Sequence, residues 1–476
     1  MVLHNMSSNF IKTVSNACVR QKERNGNKCV QRLYMALPRL TPQEVTTILQ
    51  SNEYTREFNG QSSIKYYDSN QLASNNPIED ARSEAQCLLT KGILLGVFDG
   101  HGGNMCAQAI SKRLFHYISA CLLPRTLVKQ YLNAVNSNNK LELLQMFNGK
   151  TDPLFKNKDL HQKNFLTFVK DLAKTECTTE FQMEKALENA FVRLDNDLSN
   201  EAVSTLGTKN TVESLEAATS GAVAVVAHID GPHLHVAGVG DCQAVLGTLS
   251  EDDGWSAKLM TVEHNTDNRA EVERILSEHP ANEKSTVIKM ERLLGQLAPL
   301  RSLGDFQYKW SKQILQQVVP YIGEVMIPPN YHTPPYLTAK PEVKYHRLTP
   351  RDKFLIIASD GLWDLISPLQ AVRLVGEHMS GKITLSPLRL PCKNMKLSDI
   401  NNMLLQRKEG LKKKPLDSNA ATHLLRHALG GTDYGIDHGK LSRLLTLPNP
   451  VVRIFRDDIT ITVVYMDSEF LRHCPP

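Results

Sequence analysis

Residues 92–103 read GILLGVFDGHGG, and this stretch decides how the rest of the chain is interpreted. An apolar run ends abruptly at Asp99, which is followed by a glycine, a histidine and two further glycines. The run predicts a buried β-strand, and the residues after it predict a tight loop of the kind that carries functional groups. The carboxylate of Asp99 and the imidazole of His101 therefore stand at the mouth of a buried strand.

Other apolar runs predict further strands, with helices between them. The stretches GAVAVVAHI, HLHVAGVG, FLIIAS and ITITVVYM are rich in Val and Ile and are bounded by Gly, Asp and Pro. The first two predict a β-hairpin that turns at Asp230-Gly231. Helices are predicted to start at Thr41-Pro42 and to cover Glu184–Leu198 and Asn268–His279. Grouped strands and a hairpin favour an antiparallel α+β fold over a regular βαβ alternation.

Acidic residues lie at the ends of these predicted strands. They occur in the stretches PIED, GVGD, ASDGLWD and RDDIT, as Glu79, Asp80, Asp241, Asp360, Asp364, Asp457 and Asp458. If the strand ends converge, these carboxylates repel one another unless cations lie between them. Mg²⁺ and Mn²⁺ prefer such oxygen ligands. Asp99 is the best candidate to bridge two metal ions, and Gly100 could add its carbonyl because a glycine backbone can approach closely.

Seven stretches together carry a resemblance to a known family. In chain order they are PIEDARS, GVFDGHGG, SGAVAVVAHI, VAGVGDCQAVLG, RSLGDFQYK, ASDGLWD and RDDITITVV. This order resembles the metal-dependent Ser/Thr protein phosphatases of type 2C, from about Pro77 to Val464. The resemblance implies an α+β sandwich of two antiparallel β-sheets flanked by α-helices, with a metal site at one end. The stretches LTPQEVTTILQSNEY and NAATHLLRHALGG, among others, are similar to the pyruvate dehydrogenase phosphatase branch of that family.

The resemblance also implies roles for individual residues. Asp99 matches the bridging metal ligand, Gly100 the carbonyl ligand, and Asp360, Asp458 and Asp80 the other acids that hold two Mg²⁺ or Mn²⁺ ions. Glu79 would act through water, and Asp241 and Asp364 match the acids of a weaker third metal site. His101 is the expected general acid, because imidazole titrates near neutral pH and can protonate the leaving Ser/Thr oxygen. A structural hydrogen bond is the alternative role for His101.

The stretch before the Glu79-Asp80 pair departs from the wider family. That family has an arginine a few residues before the two acids to bind the substrate phosphate, whereas this chain reads SNNPIED, with Asn75 near the expected position. Phosphate binding must then depend on the metal ions, on Asn75 or on another base such as Arg82.

The branch resemblance implies hydrolysis of phosphoserine on the E1 component of the pyruvate dehydrogenase complex, which reactivates that enzyme. The E2 lipoyl domain and a regulatory subunit are partners that the resemblance implies. One alternative is the same chemistry on another mitochondrial phosphoprotein. Another is a catalytically inactive scaffold, and the presence of Asp80, Asp99, Asp360 and Asp458 argues against it.

Charge and composition suit a globular protein without nucleic-acid or membrane signals. Hydrophobic residues make up 41% and charged residues 22% of the 476 residues, and the net charge of +5 is too small to argue for nucleic-acid binding. No apolar run is long enough to predict a membrane span. The nine cysteines are scattered singly, which favours reduced thiols over disulfides. His228, His233 and His235 crowd the predicted hairpin, where exposed histidines or a zinc site are the alternatives.

Two segments are expected to lie outside the core of the phosphatase domain: an N-terminal leader and an internal insertion. Residues 1–39 carry seven basic residues and only Glu23 as an acid, at a spacing that predicts a mitochondrial transit peptide and therefore the mitochondrial matrix. A disordered basic tail is the alternative. The phosphatase domain is expected over residues 40–470. Residues 380–419 are polar and contain two prolines, and they are expected to form a surface insertion, either a flap or docking element or a solvated loop.

Overall fold

The computed structural model describes residues 39–474 except 59, 61, 138, 140, 148–156, 175–180, 253 and 392–394. The predicted leader, apart from Arg39, lies outside the described residues. The strands are β1 (Tyr54–Glu57), β2 (Ile64–Leu72), β3 (Ala81–Cys87), β4 (Ile93–His101), β5 (Leu144–Met146), β6 (Gly221–Asp230), β7 (His233–Val239), β8 (Gln243–Leu249), β9 (Trp255–Leu259), β10 (Ile288–Lys289), β11 (Arg292–Leu293), β12 (Leu303–Gly304), β13 (Glu342–Arg347), β14 (Asp352–Ala358) and β15 (Ile459–Met466).

Helices connect and cover these strands. They are α1 (Pro42–Gln50), α2 (Met105–Leu122), α3 (Arg125–Asn136), α4 (Lys158–Lys174), α5 (Met183–Ser204), α6 (Thr211–Thr219), α7 (Arg269–Glu278), α8 (Lys284–Val287), α9 (Lys312–Ile322), α10 (Asp360–Trp363), α11 (Pro368–Met379), α12 (Leu397–Leu411), α13 (Ala420–Gly430), α14 (His438–Leu445), α15 (Asn449–Val452) and α16 (Ser468–Arg472). Short 3₁₀ turns cover Phe306–Tyr308 and Glu324–Met326.

Two antiparallel sheets form the centre of the molecule. One has the strand order β1-β2-β15-β14-β8-β9, and the other has the order β13-β7-β6-β4-β3-β5, with β12 paired to β6. Their facing side chains form one buried cluster that includes Tyr67, Val97, Val225, Ile357 and Val464. Because alternate residues of a strand point to opposite faces, each central strand also presents a second apolar face, and helices cover it.

The helices bury the outer faces of the two sheets. Helices α2 and α5 pack over the β4–β6 side around Phe98, Phe115 and Phe191, while α11 and α13 pack over the β14–β15 side. Strands β6 and β15 are therefore buried along almost their whole length. The described part of the chain confirms the predicted α+β sandwich of two antiparallel sheets flanked by helices.

The sequence predictions of individual elements are largely confirmed. Helix α1 begins after Thr41 with a capping box, because the Thr41 side chain accepts from the Glu44 backbone while the Glu44 side chain accepts from that of Thr41. The predicted hairpin joins β6 and β7, although Asp230 pairs with His233, so its turn lies one residue later than predicted. The described cysteines are free thiols, among them the buried Cys106 and Cys242.

The structure adds detail to two features that the sequence left open. The expected insertion at 380–419 contains the helix α12, which docks through Gly410 onto the backbone of Tyr434 while Leu397 and Leu404 stay exposed. Among the described residues, the hairpin histidines are not part of a group of three or more potential ligands arranged to hold a metal ion. His228 is buried, with Nε2 3.3 Å from the carbonyl oxygen of Lys91.

Candidate active site

The ends of several strands bring the predicted acids to one end of the sandwich. Strand β4 carries Asp99 and ends at His101, which pairs with Gly221 at the start of β6. In the facing sheet, β14 ends beside the start of β15, with Ala358 opposite Ile461. Asp360 follows β14 as the first residue of α10. The strand order thus places acids from distant parts of the sequence around one point.

Asp99, Asp80 and Asp360 interact strongly with one another. Burial, and then the charges of Asp80 and Asp360, raise the pKa of Asp99 well above its usual value. Burial and the charge of Asp241 raise the pKa of Asp360 to about 7, although a hydrogen bond from Asp99 lowers it. Burial and mutual repulsion therefore favour the protonated form of these carboxyls, because like charges in a buried site cannot all ionise without a cation.

The Asp80 carboxylate is fixed on one side and bare on the other. Its Oδ2 accepts hydrogen bonds from Ser359 Oγ at 2.8 Å and from Thr460 Oγ1 at 2.6 Å. Its Oδ1 is buried without a hydrogen-bond partner. Burial raises the pKa of Asp80 to about 8, and repulsion from Asp458 adds to that shift. A buried, unpartnered carboxylate oxygen is costly in a protein unless a proton or a cation satisfies it.

These observations fit a divalent cation. The described residues show no closed ligand cluster of three or more Asp, Glu, His or Cys side chains. The available donors are nevertheless the oxygen atoms that Mg²⁺ and Mn²⁺ prefer, and the bare oxygen of Asp80 lacks a positive partner. Gly100 is kept as glycine by its surroundings, because a Cβ there would lie 2.4 Å from the carbonyl oxygen of Glu79.

The two neighbouring acids at the start of β15 have different surroundings. The buried Asp458 carboxylate accepts from the backbone N–H groups of Ser74, Asn75 and Glu79 and from the side-chain amide of Asn75. Its oxygens therefore hold the loop before Asp80. Asp457 is exposed. Burial is the main cause that raises the pKa of Asp364, and the charge of Asp457 raises it further. The predicted ligand was Asp458, but the geometry favours Asp457 as the acid that faces the site.

His101 forms an ion pair that the sequence interpretation missed. Its Nε2 lies 2.6 Å from Oδ2 of Asp305, whose side chain is only 2% exposed. Burial lowers the pKa of His101, but the charge of Asp305 outweighs it and the pKa lies above its usual value. Ser302 Oγ donates to the same Asp305 oxygen at 2.6 Å. Asp305 belongs to the quoted stretch RSLGDFQYK, and its position after a glycine was the available signal.

Glu79 links the loop after β4 to the acids. Its Oε1 accepts from the backbone N–H of Gly103 at 2.8 Å, in the tight turn where Gly102 and Gly103 have positive φ. Burial raises the pKa of Glu79, while the charge of Arg453 lowers it. The two remaining predicted acids also belong to this network. Burial is the main cause that raises the pKa of Asp241. The charges of Glu263 and Asp364 raise it further, although the charge of His101 lowers it.

The two predicted phosphate-binding residues have other partners. The guanidinium of Arg82 donates to the fully buried Glu84, and the Arg82 side chain is only 12% exposed. Both Arg82 and Asp80 line an open cavity of about 1040 Å³ that extends beside α2. The Asn75 amide donates to Asp458 and accepts from Arg453, a base that the sequence interpretation did not consider.

Comparisons with known proteins agree with this arrangement. A family model described as Protein phosphatase 2C matches residues 116–399. Mitochondrial pyruvate dehydrogenase (acetyl-transferring) phosphatase 1 of Pongo abelii is 44% identical over 473 residues, which cover 94% of this chain and 88% of the relative. Human mitochondrial pyruvate dehydrogenase phosphatase 2 is 41% identical over 447 residues, with 90% and 84% covered. A protein phosphatase 2C homologue of Schizosaccharomyces pombe is 33% identical over 425 residues, with 85% and 81% covered.

The chain belongs to the protein phosphatase 2C family. It is therefore a protein serine/threonine phosphatase of the metal-dependent kind, as the order of its sequence motifs predicted. The two pyruvate dehydrogenase phosphatases are named mitochondrial, which supports a mitochondrial location for this chain. Among the helices that the structure describes, none combines the length and apolarity needed to cross a membrane.

Proposed function

We propose that this chain hydrolyses phosphoserine on the E1 component of the pyruvate dehydrogenase complex and thereby reactivates that enzyme. The observation that carries the proposal is the set of mutually repelling carboxylates at one end of the sandwich, beside the His101–Asp305 pair. The substrate is supported by the relatives of 44% and 41% identity, whose names describe this activity. The basic leader, together with those names, supports the proposal of a mitochondrial matrix location.

The site residues have distinct roles in the proposal. Asp80, Asp99, Asp360 and the carbonyl of Gly100 would hold two Mg²⁺ or Mn²⁺ ions, with Asp457 in the place predicted for Asp458. Asp241 and Asp364 would hold a weaker third ion, and Glu79 would act through water. When bound, these cations supply a water of lowered pKa and positive charge against the phosphoryl oxygens.

His101 has the chemistry for protonating the leaving serine oxygen. Its Nε2 is engaged by Asp305, so its Nδ1 is the nitrogen that remains to deliver a proton. The charge of Asp305 raises the pKa of His101 and so favours the protonated imidazole. A serine alkoxide is a poor leaving group, and a positioned acid contributes about 10²–10⁴-fold to such a step.

We also propose two protein partners and a second candidate substrate. The partners are the E2 lipoyl domain and a regulatory subunit. Both are implied by the similarity of this chain to the pyruvate dehydrogenase phosphatase branch. A matrix phosphoprotein other than E1 is the second candidate substrate. Its support is that helix α12 leaves Leu397, Leu404 and Leu405 exposed, and such surface features differ between proteins that share one chemistry.

The deciding experiment measures release of phosphate from phosphorylated E1 by the chain without its leader, with and without Mg²⁺. A generic phosphothreonine peptide is run beside it. Mg²⁺-dependent turnover with a strong preference for E1 is the expected result. Peptide turnover without preference for E1 would keep the chemistry and discard the substrate.

Two variants make the result specific to the site. Asp99→Asn is expected to abolish turnover of both substrates without unfolding the chain. Asp252→Asn, which removes an exposed acid from the turn between β8 and β9, is the matched control and should retain activity. Full activity of the Asp99 variant, or inactivity of the wild-type chain on both substrates, would refute the assignment as a phosphatase of this mechanism.

A further inference from the structure

An arginine lies against the acids of the site, where a cation was not expected. Arg453 follows the short helix α15 and precedes the two acids at the start of β15. Its Nη1 lies 3.0 Å from Glu79 Oε2 and 3.0 Å from Asn75 Oδ1. Half of its side chain is exposed, whereas that of Glu79 is 12% exposed. The guanidinium is thus held by the site on one side and open to solvent on the other.

The groups that hold Arg453 are themselves fixed. The Asn75 amide donates from Nδ2 to Asp458 Oδ2 at 2.9 Å, so its Oδ1 is oriented towards the arginine. The second carboxylate oxygen of Glu79 accepts from the backbone N–H of Gly103, two residues after His101. Arg453 is therefore tied to both the loop before Asp80 and the loop after β4. A long side chain that is held in this way loses less conformational entropy when it binds a ligand.

The guanidinium keeps donors for a further partner. Arginine has five N–H donors in a planar fork that matches phosphate oxygens. Among the hydrogen bonds of the described residues, those of Arg453 use Nη1 alone. The neighbouring Arg456 differs, since its Nη1 and Nη2 donate to Ser74 Oγ and the carbonyl of Ala73. Arg82 also differs, because it pairs with Glu84.

The charge of the exposed guanidinium indicates that its ligand is an anion. A phosphoserine side chain carries close to two negative charges near neutral pH. The Arg453 guanidinium beside Glu79 carries the opposite charge and is half exposed, so it can attract such a group. We propose that Arg453 binds the phosphoryl oxygens of the substrate, and that Asn75 and Glu79 position it. This inference rests on the proposed phosphatase function, and it replaces Asn75 as the phosphate ligand with a residue that Asn75 orients.

The test compares Arg453→Gln and Arg453→Lys with the wild-type chain. Arg472→Gln is the matched control, because it removes the same charge from an exposed side chain after the far end of β15. The measurements are kcat and KM for a phosphoserine peptide, the inhibition constant of inorganic phosphate, and the Mg²⁺ concentration for half-maximal activity. Thermal melting checks that each variant is folded.

Loss of the guanidinium should weaken phosphate binding and leave metal binding intact. Arg453→Gln is expected to raise both the KM of the peptide and the inhibition constant of phosphate about tenfold or more, as for loss of charge-assisted hydrogen bonds. Arg453→Lys should recover part of this loss, since lysine keeps the charge without the fork. The Mg²⁺ requirement should stay near that of the wild-type chain.

The failures of the two proposals are distinguishable. An active wild-type chain whose peptide KM and phosphate inhibition constant are unchanged in Arg453→Gln would overturn the role of Arg453 and leave the phosphatase function standing. The role of Arg453 is also overturned if only the Mg²⁺ requirement rises, because Arg453 would then serve the metal site through Glu79. A wild-type chain without Mg²⁺-dependent turnover would refute the proposed function, and the role of Arg453 with it.

Discussion

Nε2 of His101 lies 2.6 Å from Oδ2 of Asp305, although 204 residues separate them in the sequence. The buried carboxylate raises the pKa of the imidazole, so it extends the pH range in which His101 carries the proton of a general acid. In the proposed mechanism the protonated form is the active one, and activity should therefore fall as the pH rises through this pKa.

Asp305→Asn removes the charge that raises the pKa of His101. The alkaline limb of the kcat profile should move to lower pH, and kcat on a phosphoserine peptide should fall about tenfold to a hundredfold. An aryl phosphate, whose leaving group needs no proton, should be affected much less. The check is a pair of pH–rate profiles, with Arg472→Gln as the control. An unmoved alkaline limb would remove Asp305 from the mechanism.

Gly221 leaves the space in which this pair meets. A Cβ at that position would lie 2.1 Å from both His101 Nε2 and Asp305 Oδ2. Gly221→Ala should therefore separate the two groups, reduce kcat as Asp305→Asn does, and cost about 1–3 kcal/mol of stability from overpacking. Gly254→Ala, in an exposed turn, is the control. Steady-state kinetics and urea unfolding test this, and a Gly221→Ala enzyme with wild-type kcat would contradict it.

The sandwich could be predicted because its central strands have a clear local sequence pattern. The runs in β4, β6 and β15 are dense in Val and Ile and end at Gly or Asp, so the sequence alone indicates both the strands and the acids beside them. Helix α12 could not be recognised as readily, because it follows two prolines in a polar stretch and docks through Gly410 and the polar side chain of Arg407. Its apolar residues Leu397 and Leu404 are exposed and give no core pattern.

The sequence could predict those site residues that belong to a recognisable local motif, but not the side-chain pairs formed between distant motifs. The partnership of His101 with Asp305 and that of Glu79 with Arg453 join residues 204 and 374 positions apart, and nothing in either local stretch names the partner. Asp457 and Asp458 are adjacent, so which one faces the acids depends on the side of the strand on which each side chain emerges. That choice requires the register of β15.

Asp457 and Asp458 should fail in different ways when each is changed to Asn. Asp458→Asn places an amide among N–H donors, so it should destabilise the fold by about 2–3 kcal/mol through lost charge-assisted hydrogen bonds. Asp457→Asn should keep the stability within about 0.5 kcal/mol and weaken Mg²⁺ binding about tenfold or more. Urea unfolding and calorimetric Mg²⁺ titration separate the two effects. Weaker Mg²⁺ binding in a stable Asp458→Asn variant would restore Asp458 as the ligand.

The raised carboxyl pKa values make the metal-free protein sensitive to pH. The pKa of Asp80 is raised to about 8 and that of Asp360 to about 7, so between their unfolded values near 4 and these values the folded chain binds more protons than the unfolded chain. The free energy of unfolding should therefore fall as the pH rises from about 4 to 8, by up to about 1.4 kcal/mol per pH unit for each such group.

Mg²⁺ should reverse this loss, because a cation satisfies the carboxylates that otherwise keep protons. The stabilisation by a fixed excess of Mg²⁺ should be small at pH 5 and should grow towards pH 8, reaching about 3 kcal/mol when the ion is at a hundred times its dissociation constant. Asp80→Asn should flatten the pH dependence of the metal-free chain and shrink the Mg²⁺ effect. Thermal melting with a chelator and with Mg²⁺ measures both. A metal-free chain that gains stability from pH 5 to 8 would show that these acids are ionised and paired instead, since protons must then be released on folding.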